Sequence, residues 1–442
     1  MDNAATTAVA SEVRHVMDNI YENYFGNPSS VHSVGQEAKK IVDDGRRLVS
    51  SFVGCEPEEI IFTSGGSESD NLAIRGLINA VISNVSEKSH GISRHKTMAR
   101  NDKGFKPHIV TSAMEHHAVL HTIQDLEKEG IIEATYIKPD GEGIITPEVV
   151  KAEIRENTVL ISLIYVNNET GVVTPIREIG LMLEAQNAER LQTTKSRGKS
   201  GKIYFHSDAV QAAEFFQIEP EYLKVDLLTF TAHKIHGPKG IGVLYIRKGT
   251  PIKSQITGGA QEFRKRAGTE NVAGIAGLAK ALGLIMKERG EDTLPDLSLE
   301  RRGKGQDGSL PELITSDDAK RLIGLRDILI QGLVENIPNT ILNGSEIRRT
   351  PNIVNISFMN AEGEAIILNL DFLGIAVSSG SACTSRSLEP SHVLSSMGIP
   401  PEKAHGSIRF SLSRYTKTDD IKRVLEVMPG IIEKLRAMSP FK

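Results

Sequence analysis

The chain has 442 residues, 39% hydrophobic and 24% charged, with a formal net charge of −4. That balance suits an ordinary globular protein and gives no reason to expect nucleic acid as the main partner. The length suggests two or more structural units, and two cysteines exclude a disulfide framework, so an intracellular, reducing, cytoplasmic setting is expected.

The N-terminus, MDNAATTAVASEVRHVM, has an acid at Asp2 and no apolar stretch of the secretory kind. The longest mostly apolar run, 273–285, is interrupted by Lys280 and is too short to span a bilayer.

Short β-branched apolar runs then recur: EIIFTS (59–64), HIVTS (108–112), TVLISLIYV (158–166), KIYFHSD (202–208), VDLLTFTA (225–232) and GVLYIRK (242–248). Helical patterns such as SESDNLAIRGLINAVI and TPEVVKAEIR lie between them. Near-continuous apolar strands alternating with helices predict an α/β layer with a mostly parallel sheet covered on both faces. Beyond about residue 260 comes a long helical stretch (271–287), then NIVNISFM (352–359), helical EGEAIILNLDFLG (362–374) and a closing strand–helix pair. This reads as a second, smaller α+β unit. Two polar segments, 83–106 and 186–202, read as insertions, either solvated loops or a docking surface for a partner, and 290–310 reads as an exposed insertion or linker.

Three motifs carry chemistry. In FTSGGSESDN (62–71) a strand ends at Gly65-Gly66 and a helix starts near Ser67, which makes either an anion site at a helix N-terminus or a plain strand–helix turn. In TAHKIHGPKG (231–240), Lys234 follows a strand directly, where α/β sheets place their ligands, and Thr231 and His233 flank it. In HSDAVQ (206–211), Asp208 ends another strand, 26 residues before Lys234. A carboxylate there can pair with a protonated pyridine nitrogen, and an amine on the next strand end can join an aldehyde. The other role open to a lone Asp after a strand is a helix cap.

Nine motifs in series, FGNPSSVH, FTSGGSESDNLAI, MEHHAVL, YVNNETGVV, HSDAVQ, HKIHGPKGIGVLY, RAGTEN, SSGSACTSRSLEPSHVL and SIRFSLSRYT, closely resemble those of the cysteine desulfurases. These are fold-type-I pyridoxal phosphate enzymes of the class V aminotransferase group. The serine-flanked cysteine in a long loop resembles the NifS/IscS-type branch. The resemblance implies an N-terminal arm (1–15) packing with the small domain, a large pyridoxal-phosphate-binding domain (16–262) and a small C-terminal domain (263–442) carrying a catalytic cysteine loop (378–390).

It also implies a site. Lys234 would hold the cofactor covalently, Asp208 would pair with the pyridine nitrogen, and Gln211 would bond the phenolic oxygen. His116 would stack on the ring and move protons, with the adjacent His117 the alternative the pattern leaves open. Gly66, Ser67, Thr231 and His233 would hold the phosphate, and Thr269 would reach the phosphate of a neighbouring subunit, implying a homodimer. Asn168 and Arg409 would grip the substrate carboxylate, the planar guanidinium suiting two parallel bonds.

In this reading Cys383, set among small polar residues, would attack the sulfur of bound L-cysteine. It would leave alanine and carry a persulfide to an acceptor or an iron–sulfur scaffold protein. Loop mobility is expected at 378–390. Cys55, in VGCEP, reads as structural, and two cysteines so far apart offer no zinc site.

Selenocysteine lyase or another class V enzyme is the nearest rival, followed by a sulfur-transfer scaffold without turnover. Departures from the IscS pattern are Thr231 where serine is common, the three polar segments, and an end soon after RAMSPFK, where IscS-type relatives continue. The last leaves the acceptor open.

Overall fold

The computed structural model describes residues 1–89, 106–194, 201–291, 310, 313–314, 316–379 and 390–438. The larger sheet holds β1 (Ile60–Thr63), β2 (His108–Ser112), β3 (Glu133–Ile137), β4 (Thr158–Ile164), β5 (Tyr204–Asp208), β6 (Leu227–Thr231) and β7 (Gly242–Ile246). Their spatial order is β1-β7-β6-β5-β4-β2-β3. The five strands from β6 to β3 run parallel, and β7 is antiparallel to both its neighbours.

The helices are α1 (Ser11–Asn23), α2 (Ser33–Val53), α3 (Gly66–Ser89), α4 (His117–Lys128), α5 (Pro147–Ala152), α6 (Ile176–Thr194), α7 (Pro220–Leu223) and α8 (Val272–Glu288). Alternation along the strands divides the core. Ile61, Ile109, Leu160 and Leu244 turn to one face, against Leu72 and Leu77 of α3 and Ile123 and Leu126 of α4. Ile60, Phe62, Val110, Ile161 and Val243 turn to the other, in one cluster with Val49 and Phe52 of α2, Ile179 of α6 and Leu278 of α8. Every residue of β1, β2, β4, β6 and β7 is therefore buried, as expected of a sheet covered twice. Only β3, at the edge, is mostly half-exposed. Its segment EATYI, led by Glu133, gave no apolar run to read.

The smaller sheet is antiparallel, in the order β10 (Ser378–Ser379), β11 (Ser407–Ser411), β9 (Ile353–Phe358) and β8 (Thr340–Leu342). The remaining helices are α9 (Asp317–Asn336), α10 (Gly363–Asp371), α11 (His392–Ser396), α12 (Pro401–Ala404) and α13 (Thr418–Met438); α9 packs against α13, α9 against β8 and β9, and α10 against β11. The long helix read at 271–287 is α8, and it packs on α1 and α2. Two of the polar segments begin as helix rather than loop: α3 continues to Ser89 and α6 to Thr194. Among the described residues, no helix is long and apolar enough to cross a membrane.

The N-terminal arm ties the two sheets together. Asp2 forms a bridge with Ser411 of β11, Ser411 N–H donates to Met1 O at 2.8 Å, and Ala4 N–H donates to Ser411 Oγ at 2.8 Å. Thr7 and Ala10 then donate their N–H groups to His233 O and His236 O, each at 2.9 Å.

Candidate active site

Parallel strands bring their C-terminal ends to one edge of the sheet. Here that edge carries Asp208 at the end of β5, Thr231 at the end of β6 followed by a 3₁₀ turn (Ala232–Lys234), and the start of α3 at Gly66. The glycines at the β1–α3 turn allow close packing. A Cβ on Gly242 of β7 would sit 2.5 Å from the carbonyl carbon of Gly65, and one on Gly66 would sit 3.0 Å from Val210 Cγ2. Gly66 is half-buried and Ser67 exposed, so the helix start faces open space where an anion can approach.

Beside it lies a buried acidic cluster. Single donor atoms of Asp70, His116 and Asp208 all lie within 4.8 Å of one another. Burial raises both carboxyls above the usual carboxylate range, and the Asp208 charge raises Asp70 further. The Val210 N–H at 2.9 Å and Lys234 hold Asp208 partly down. Asp70 Oδ1 has no hydrogen-bond partner; His206 Nε2 stands 3.6 Å from it and is kept neutral by burial, its pKa pushed down to about 3. Two crowded carboxylates and an orphaned oxygen make the pocket short of positive charge. A protonated pyridine nitrogen fits that demand.

Lys234 Nζ donates to the carbonyls of Ala4 and Ala5, at 2.6 and 2.7 Å. Gln211 Nε2 also donates to Ala4 O, at 2.9 Å, so the arm collects both side chains at one point. His233 Nδ1 lies 3.3 Å from Thr6 Oγ1. Thr7 Oγ1 both donates to His233 O at 3.0 Å and accepts from His236 N–H at 2.8 Å, fixing the backbone on either side of Lys234.

His116 caps α4, its Nδ1 accepting from Ala118 N–H at 3.2 Å. Burial, then the Lys234 charge, pushes its pKa down to about 4, so it is a neutral base at physiological pH. The preceding Glu115 is fully buried. Its Oε1 accepts from Ser112 Oγ at 2.5 Å and Ile164 N–H at 3.0 Å, and burial raises the carboxyl to about 8.

Arg409 reaches this region from β11. Nη1 donates to Asn168 O at 2.9 Å and Nη2 to Asp2 Oδ1 at 3.0 Å, while the buried Nε has no partner. Next to Asn168, Glu169 is buried and accepts from Ser391 Oγ at 2.5 Å. Burial lifts it to about 7 against the opposing effects of Ser391 and Arg409.

The structure thus brings Lys234, Asp208, His116 and Gln211 together, with Arg409 and Asn168 joined nearby. Thr231 donates its hydroxyl hydrogen to Ile241 O at 2.9 Å, so that donor is committed to the backbone rather than turned to a ligand. Thr269 is exposed, three residues after Arg266, whose Nε donates to Glu68 Oε1 at 3.0 Å in the first turn of α3. Cys383 and most of the 378–390 loop lie outside the described residues. The Cys55 thiol is half-buried, and burial with Glu59 and Glu56 pushes its pKa up, which suits a packing role.

Sequence reasoning passed over Asp70, Glu115, Glu169, Ser391 and the arm residues Ala4 to Thr7. Asp70 was within reach: four residues after Gly66, it falls one helical turn inside the phosphate motif. The arm carbonyls carry no side-chain signal.

Over residues 1–93, 96–295 and 314–424 the chain matches the aminotransferase class-V family. It is 42% identical to a cysteine desulfurase IscS of Dictyoglomus turgidum, over 100% of this chain and 96% of that one. It is 43% identical to a cysteine desulfurase IscS of Methanosarcina thermophila, over 100% and 93%. Among solved structures, a NifS-like protein superimposes with a TM-score of 0.78 at 30% identity, covering 98% of this chain and 99% of that one.

Proposed function

The chain belongs to the aminotransferase class-V family, and from that premise we propose that it is a pyridoxal-phosphate-dependent cysteine desulfurase. It takes sulfur from L-cysteine, releases L-alanine and holds the sulfur as a persulfide for iron–sulfur cluster assembly. The observation that carries the reading is the Asp208–Asp70–His116 cluster beside Lys234, a cation-demanding floor next to an amine. Full-length similarity to chains named cysteine desulfurase supports the substrate.

Pyridoxal phosphate, when bound, supplies the electron sink that lets an amino acid lose its α-proton and weakens its carbon–sulfur bond. Lys234 would hold the aldehyde carbon, Asp208 the pyridine nitrogen and Gln211 the phenolic oxygen. Gly66, Ser67 and His233 would hold the phosphate, with Thr231 joining them once its hydroxyl leaves Ile241 O. His116, neutral at physiological pH, would cover the ring and accept a proton. Arg409 and Asn168 grip the substrate carboxylate; burial of Arg409 on β11 makes that contact strong, because little water screens it. Cys383 attacks the substrate sulfur: an S–S bond forms, the carbon–sulfur bond breaks, and its electron pair stays on the carbon that becomes the alanine methyl.

Exposure of Thr269 beside Arg266 and the start of α3 supports a homodimer in which Thr269 reaches the neighbouring site. We also assign the arm to 1–15, the large domain to 16–262 and the small domain to 263–442, place the protein in the cytoplasm, and give it a protein sulfur acceptor.

Incubation with L-cysteine under reducing conditions tests the reading. Alanine release with a one-sulfur adduct on the Cys383 peptide, both lost in Cys383→Ser, is the expected result. A yellow protein that makes no alanine from cysteine but does so from selenocysteine would move the function to selenocysteine lyase.

A further inference from the structure

On the desulfurase reading, on which this step rests, Arg409 grips the substrate carboxylate; we propose that Asp2 is an internal competitor for that grip. Its side chain holds Arg409 before an α-amino acid binds and yields the guanidinium to the incoming carboxylate. Arg409 is 1% exposed, and the one ion pair it makes among the described residues is with Asp2, Nη2 to Oδ1 at 3.0 Å. Nη1 is committed to Asn168 O at 2.9 Å, and the buried Nε has no partner. Nε and Nη2 form the side-on edge of a guanidinium, where a carboxylate can take two parallel hydrogen bonds. Asp2 meets Nη2 alone. A buried donor left over needs a reason, and a ligand carboxylate spanning Nε and Nη2 supplies one.

The backbone on either side of Asp2 is pinned to β11. Met1 O accepts from Ser411 N–H at 2.8 Å, Asn3 Nδ2 donates to Ser411 O at 2.8 Å, and Ala4 N–H donates to Ser411 Oγ at 2.8 Å. Ser411 lies two residues after Arg409 on β11, so the two side chains leave the same face of the sheet. The pinned backbone thereby sets the Asp2 carboxylate beside the guanidinium. The Asp2 side chain is 27% exposed, so rotation about its own bonds returns the carboxylate to water while the arm stays in place. Two carboxylates at one guanidinium exceed its single charge, so each weakens the hold on the other. The substrate prevails because it makes two parallel bonds where Asp2 makes one. Run backwards, the same exchange lets Asp2 displace the product's carboxylate, which favours release of alanine.

The test uses the cofactor-loaded protein carrying C383S and reads binding from the cofactor's absorbance band, so no turnover is needed. L-Alanine is titrated into this protein and into its D2N derivative. Ethylamine, which is alanine without its carboxylate, is the control ligand. D2N keeps an oxygen for Nη2 but loses the charge, so the dissociation constant for L-alanine is expected to fall about two- to fivefold, the range set by a partly exposed ion pair. That for ethylamine is expected to stay unchanged. Alanine binding that is unchanged or weaker in D2N overturns the competition, and so do equal shifts for both ligands, which would mean that the arm acts on the whole pocket. A protein with Asp2 intact whose band responds to neither amine would instead sink the amino-acid-binding reading of the site, and the competition with it.

Discussion

Arg409 Nη2 lies 3.0 Å from Asp2 Oδ1, joining the third position from the C-terminal end of β11 to the second residue of the chain. With Nη1 on Asn168 O, the guanidinium is held flat and its orientation is fixed before substrate arrives. Lysine offers a point charge without the fork. Arg409→Lys is therefore expected to lower kcat/KM for cysteine about 10–100-fold, mostly through KM, since charge-assisted bonds contribute ~1.5–3 kcal/mol each. Alanine formation at varied cysteine concentration measures it. A purely structural tie to the N-terminus predicts instead that D2N reproduces the defect. Substrate grip predicts that D2N stays within about fivefold of the parent, because Asp2 is partly exposed and such pairs contribute little.

Asp208 is the partner proposed for the pyridine nitrogen. Asp208→Asn keeps the shape and the acceptor for Val210 N–H but removes the charge. Breaking a buried ion pair costs about 3–5 kcal/mol, so cofactor affinity is expected to drop roughly 10²–10⁴-fold. Fluorescence titration of the stripped protein with pyridoxal phosphate checks this. Affinity unchanged in the variant would place the pyridine nitrogen elsewhere.

Much of this architecture was legible because its signals are local. HIVTS is β2 residue for residue, and the strand ends at Asp208 and ahead of Lys234 fall where the apolar runs stop. What stayed hidden depends on contacts far apart in sequence. Glu115 and Glu169 look like surface acids in MEHHAVL and VNNET; only the folded chain shows one oxygen of each bonded inside the core, to Ile164 N–H and Ser391 Oγ. The short edge strands β3 and β8 escaped because each is half-exposed or only three residues long. The arm acts through backbone carbonyls, which any residue supplies.

A second buried ion pair lies at the other end of β1. Arg46 Nη2 meets Glu262 Oε1 at 2.6 Å, and Glu262 Oε2 also accepts from Phe62 N–H at 2.9 Å. Glu262, Phe263 and Arg264 hold φ of 44°, 54° and 63°, a left-handed run that costs non-glycine residues about 1–3 kcal/mol each and persists because this pair anchors it. Glu262→Gln is expected to destabilise by about 3–5 kcal/mol and to expose the segment leading to Thr269. A lower urea midpoint, with faster proteolysis within 262–269, checks both. A midpoint within error of the parent would show that the turn holds itself.

Glu115 makes a pH prediction whose sign follows from burial. Its carboxyl is raised from the ordinary 4.5 to about 8 in the folded protein, so between those values the folded chain binds a proton that the unfolded chain does not. Stability therefore falls as pH rises through this window and levels off above it. Glu115→Gln is uncharged throughout and keeps an oxygen for Ser112 Oγ and Ile164 N–H. The parent should lose up to ~1.4 kcal/mol per pH unit relative to the variant, while other raised carboxyls such as Glu169 act alike in both and cancel. Calorimetric melting at pH 5.5, 6.5 and 7.5 reads the difference. Parallel curves would mean that Glu115 is ionised in the folded protein, and that a positive group at the site, rather than burial, sets its charge.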